Sequence, residues 1–175
     1  MVQRKIKVIG TMHHMLPKYR EELEILLEKI NPDQLLVEID KKDLDSKLIE
    51  TYPKEMIFAY RWAIKNKKQI GFFDVDMDLW KEGVTQKDED KIEKEWFKKY
   101  GKKDWKFFNQ SFKEKREIIW TIDSLIDQNK MRIRQEKMLK NINEFLIENG
   151  KILILTGAYH LDFFRKNLEK AKFLD

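Results

Sequence analysis

Lys151-Ile152-Leu153-Ile154-Leu155-Thr156-Gly157-Ala158-Tyr159-His160 sets four branched apolar residues in a row and then turns polar. A run apolar on both sides needs cover on both faces. Short runs of this kind are strands of a parallel sheet lying between helices. Three similar runs lie upstream: Ile6–Ile9, Leu35–Ile39 and Ile70–Val75. Helical spacing fills the gaps between them. Leu23, Leu26, Leu27 and Ile30 form one stripe over Tyr19–Ile30, stopped by Asn31-Pro32. Pro53 suits the first residue of a helix reaching about Asn66. The spacing predicts further helices over Met131–Glu148, closed by Asn149-Gly150, and over Leu161–Ala171. Strand alternating with helix is the pattern of an α/β fold: three α/β/α layers around a mostly parallel central sheet.

The composition agrees. A chain of 175 residues with 42% hydrophobic residues has room for one domain with a sizeable core, spanning 1–175. Six glycines and three prolines are too few for a turn-rich β-sandwich. The absence of cysteine excludes disulfides, thiolate zinc sites and a cysteine nucleophile. No apolar run approaches the roughly 20 residues of a membrane helix, and Met1–Gly10 enters a strand without a signal-peptide pattern. The expected location is cytoplasmic. The net charge of +5 mixes 36 basic with 31 acidic residues and selects no partner.

One segment interrupts the rhythm. From Gly83 to Trp120 there is no strand pattern, and aromatics from Trp96 to Phe112 alternate with lysines. We expect an inserted helical lid over about 83–120, its aromatics packing a hairpin and its lysines facing water. Lysines beside aromatics also suit single-stranded nucleic acid. Yet acids precede them at Asp88, Glu89, Asp90, Glu93 and Glu95, and no nucleic-acid motif is present, so nucleic acid is not the expected partner.

The three histidines all follow strands. Gly10-Thr11-Met12-His13-His14 and Gly157-Ala158-Tyr159-His160 share Gly-x-x-His. Glycine at a strand end permits a sharp turn or a close neighbour. In an open parallel sheet both motifs reach the carboxyl edge, where ligands bind. Glu38 and Asp40 lie at one apolar run, and Asp74 and Asp76 at the end of another, so either member of each pair can reach the rim. A buried carboxylate needs a cation or proton partner. Two imidazoles and a carboxylate suit a borderline divalent metal, or acid–base catalysis without one. Each residue also has a plainer reading: His160 as a bonded loop residue, Glu38 as a paired core acid, Asp74 as a turn former, and Arg134 as a surface residue or the partner of Glu38.

The order of these motifs resembles the TraB/PrgY/GumN family, which is related to the Tiki proteases and more remotely to the erythromycin esterase and ChaN groups. The resemblance rests on Val8–His13, on Pro32–Ile39, on Glu55-Met-x-x-Ala59 with Gly71–Asp76, on Arg134-x-x-x-Met138, and on Ile152–Leu161. It spans most of the chain outside the insert. It implies two facing Gly-x-x-His motifs and either metal-dependent peptide hydrolysis or control of peptide pheromones. The site it implies comprises Gly10, His13, Glu38, Arg134, Gly157 and His160. The residues themselves lead us to expect His13, Glu38 and His160 to hold a divalent metal (Mn, Co or Zn) or a reactive water, with no nucleotide involved. His14 is an extra ligand or a bystander; Glu55 and Asp74 are supporting candidates. Val75 stands where some members have arginine, and the chain lacks the C-terminal membrane helices many carry. The expected partner is a peptide or small-molecule substrate, with a homodimer left open. The alternatives are a non-catalytic protein sequestering a peptide or other ligand, and nucleic-acid binding through the insert.

Overall fold

The computed structural model describes residues 4–11, 17–101 and 121–174. Its centre is a five-stranded parallel sheet: β1 (Lys5–Thr11), β2 (Gln34–Val37), β3 (Gln69–Phe72), β4 (Lys151–Gly157) and β5 (Ala171–Phe173), in the order β3-β2-β4-β1-β5. The fold is α/β, as the apolar runs require. Alternation along the strands separates two cores. Ile9, Leu35, Val37, Leu153 and Leu155 pack against α1 (Pro17–Ile30) and α2 (Lys54–Lys65). Val8, Leu36, Ile152 and Ile154 face the other way, against α4 (Gln128–Phe145) and α5 (Leu161–Asn167). The described part of the insert contains α3 (Gln86–Tyr100), opened by a Thr85–Asp88 capping box. Among the described residues no helix is long and apolar enough to cross a membrane.

The boundaries differ from the sequence reading in instructive places. The helix expected to close at Asn149-Gly150 ends at Phe145. There the Gln34 side chain takes the role of a cap: its amide donates to Phe145 O at 2.6 Å, and its oxygen accepts from Ile147 N at 3.2 Å. Pro53 lies just before α2 rather than inside it. The final helix stops at Asn167, and Lys170, with φ 62°, turns the chain into the edge strand β5. The insert leaves and re-enters through a short antiparallel neck. Trp80 bridges Ile126, Lys81 N donates to Leu125 O, and Asp127 N donates to Leu79 O. Within the expected lid, Trp96 packs against the second core. The part of that reading that falls on 102–120 lies outside the described residues.

Gly10 is still within β1, and close approach explains it. A Cβ built there would stand 2.4 Å from Leu161 Cδ1 and 3.0 Å from Ala158 Cα. Leu161 is fully buried and has nowhere to yield. Gly10→Ala is therefore expected to destabilise the fold by about 1–3 kcal/mol through overpacking. The check is the urea midpoint; a variant as stable as the wild type would refute this packing.

Candidate functional site

Parallel strands deliver their carboxyl ends to one rim. The register pairs Val37 with Leu155 and Phe72, and Thr11 with Gly157. Residues just beyond these pairs therefore crowd together: Glu38 after β2, Asp74 after β3, and His160 in the turn after β4. Glu38 N still donates to Leu155 O, and Asp74 N to Ile39 O, so the backbone stays sheet-like past the strands proper.

Glu38 is 6% exposed and accepts four hydrogen bonds. Oε2 receives the Thr156 hydroxyl at 2.6 Å and the Gly157 backbone N–H at 2.7 Å. Oε1 receives Arg134 Nη2 at 3.4 Å and lies 3.2 Å from His160 Nε2. Burial pushes this carboxyl up, but His160, Arg134 and the Thr156 hydroxyl outweigh it and hold Glu38 well below the usual carboxylate range. Glu38 is an ionised carboxylate inside a core.

His160 is 3% exposed, and both its ring nitrogens are engaged. Gln135 Nε2 lies 3.1 Å from Nδ1. With the amide nitrogen donating there, a neutral ring carries its proton on Nε2, facing Glu38. Arg134, beside Gln135 on α4, joins two acids. Its Nε and Nη2 donate to Asp74 Oδ1 at 3.0 and 2.6 Å, and Nη2 also reaches Glu38. Burial and the neighbouring Glu38 charge push the Asp74 carboxyl up, against the pull of Arg134. Glu55 joins from the opposite layer. It is fully buried in the first turn of α2 and accepts from the Thr11 hydroxyl at 3.1 Å. That hydroxyl also approaches Thr156 O at 3.3 Å.

Glu38, His160, Arg134 and Asp74 are thus brought together, with Gly157 contributing its N–H and Gly10 a close strand approach. His13 and His14 lie outside the described residues. Sequence reasoning missed Thr156, Gln135, Tyr52 and Asp43. The one available signal was polarity at a strand end, in Thr156 before Gly157.

For a divalent metal, the described residues offer His160 Nε2 and Glu38 Oε1, 3.2 Å apart. Two ligand atoms on one tetrahedral ion stand about 3.3 Å apart, given bonds of roughly 2.0–2.1 Å. A nitrogen and an oxygen donor at this spacing fit a borderline ion in place of their shared proton. Among the described residues no three such groups converge, so a full set needs a ligand from the remaining ones, where His13 lies.

Glu38, Asp74 and Arg134 also line a cavity of about 450 Å³ with Asp43, Tyr52 and Asp76. The buried acid–base chain therefore reaches an open space. No family model, curated protein or solved structure matches the chain.

Arg134→Met strands two buried carboxylates, and about 3–5 kcal/mol of stability should be lost at pH 7. A raised carboxyl such as Asp74 costs stability as pH rises through its folded value. The loss should therefore shrink as the pH falls and Asp74 takes up a proton above its ordinary value of 3.8. Glu38 works in the opposite sense: its depressed carboxyl stabilises at neutral pH, and that stability fades as pH falls below its ordinary value of 4.5. The advantage over Glu38→Gln should narrow there. Denaturant midpoints across pH 3–7 test both signs; pH-independent differences would contradict the assignment.

Proposed function

We propose that this protein is a metal-dependent hydrolase acting on a peptide or amide bond. The observation that carries the proposal is the His160–Glu38–Arg134–Asp74 chain at the carboxyl edge of the sheet, whose acidic end opens into a cavity. Residues that combine a depressed carboxylate, a histidine and a buried arginine at such an edge are equipped for acid–base work. His13, Glu38 and His160 would hold the ion, which when bound supplies an activated water at neutral pH. Glu38 supplies the permanent negative charge beside the ion, and Gln135 fixes the ring through Nδ1. Arg134 Nη1 has no partner among the described residues, and the side chain lines the cavity. It is placed to donate to a developing oxyanion, while Asp74 fixes the guanidinium plane. The TraB/PrgY/GumN resemblance supports the same reading.

A second reading has its own observation. Both ring nitrogens of His160 and both oxygens of Glu38 are satisfied within the protein. A closed network of this kind suits a pocket that retains a peptide without cleaving it.

The test is a peptide-library assay on the purified chain with added Mn²⁺, Co²⁺ or Zn²⁺. Cleavage should require an ion and stop with EDTA. His160→Ala and His13→Ala should each lower turnover by roughly 100-fold or more and reduce bound metal. Retention of peptide without turnover would favour the second reading. Unchanged metal content and activity in both variants would overturn the site.

A further inference from the structure

The layer formed by α1 and α2 carries a second cavity on its outer side, of about 500 Å³. It shares no lining residue with the cavity at the carboxyl edge of the sheet. Its floor is apolar and recessed between the two helices. Ile57 and Trp62 of α2 are only 6% and 7% exposed, and the half-buried Phe58 lies between them in sequence. Its rim is basic. Arg20 comes from α1, and Lys54, Arg61 and Lys65 come from α2, against the acids Glu24 and Glu50. Four cations against two acids leave +2 at this one groove, out of +5 for the whole chain.

The cations differ in what they have left to offer. Arg61 is tied to Glu50 at 2.5 Å. The Arg20 guanidinium lies over the Phe58 ring, 5.0 Å from its centroid. A guanidinium held by a ring face keeps its N–H groups for a further acceptor. Lys54 and Lys65 are exposed and have no acidic partner among the described residues.

Their positions give the occupant its shape. Lys54 opens α2 and Lys65 closes it. At about 1.5 Å per residue, the helix between them holds these two charges about 16 Å apart along the groove. A compact anion would engage one end and leave the other idle. A flat anionic membrane would meet the lysines but not the recessed floor. A chain with acids at both ends and apolar side chains between them meets all three parts. We propose that this groove docks an acidic peptide segment of a partner protein, its carboxylates against Lys54 and Lys65 and its apolar side chains on Phe58 and Trp62. The surface is separate from the rim that carries His160, and its use does not depend on hydrolysis.

Fluorescence anisotropy of a labelled peptide with glutamates at both ends and leucines between them tests the groove on the whole chain. The peptide should bind, and binding should weaken with added salt. The same peptide with glutamine for glutamate should bind at least roughly tenfold more weakly. Combining Lys54→Glu with Lys65→Glu should cost a similar factor. Lys137→Glu with Lys140→Glu makes the same charge change on exposed positions of α4, across the sheet, and should change affinity less than about twofold. Should the first variant fail to fold, the glutamine peptide on the unaltered protein still decides. Equal affinity for the two peptides, an equal loss in the two variants, or no binding at millimolar peptide overturns the site. Sedimentation with phosphatidylglycerol but not phosphatidylcholine vesicles, with no binding of the peptide, makes this face a membrane contact and overturns the peptide assignment.

Discussion

A carboxylate buried at the end of β2 sets the terms for the rest of the structure. Removing an isolated carboxylate from water is far too costly to leave uncompensated. Glu38 meets that cost with donors from the end of β4, from the turn after it, and from α4. Those donors come from parts of the chain far apart in sequence. The same charge that must be satisfied locks β2, β4 and α4 to one another, so the stability of the rim and its chemistry share one origin.

The strand order explains how such distant residues meet. β4 is the fourth strand in the chain, yet it lies between β2 and β1. The segment carrying Thr156, Gly157 and His160 therefore enters the middle of the sheet rather than its margin. The α4 helix that precedes β4 supplies Arg134 and Gln135 to the same rim. Asp74, at the end of the neighbouring β3, closes the row by pairing with Arg134.

Much of this was legible in the residues. Apolar runs located four of the five strands, because strands covered on both faces must be continuously apolar. β5 escaped: Ala171-Lys172-Phe173 is a short edge strand with no buried pattern. Glu38 and Asp74 stood out because charge in an apolar run demands a partner, His160 because it follows Gly157 at a strand end, and Arg134 only through the family resemblance. Gln135 did not, since a glutamine on a helix looks the same whether it meets water or an imidazole. Asp43 was hidden most completely. Within Lys41-Lys42-Asp43-Leu44-Asp45-Ser46 it resembles a solvated turn, and only the fold reveals that Tyr52 folds back and buries it.

The neck at Trp80 and Ile126 gives the fold a socket. Because the two chain ends are clasped there by backbone hydrogen bonds, whatever lies between them is joined to the sheet as a closed loop. Closing a longer loop costs little, about 0.6 kcal/mol for each doubling of length. Descendants of such a chain could exchange or lengthen the intervening segment while the β-sheet kept its register. The connection is not inert, however. Tyr159, next to His160, hydrogen-bonds Asp123 beside the neck, and Trp96 leans on the core. A change of inserted module would thus be felt at the histidine, giving evolution a route to new specificity that leaves the buried acid untouched.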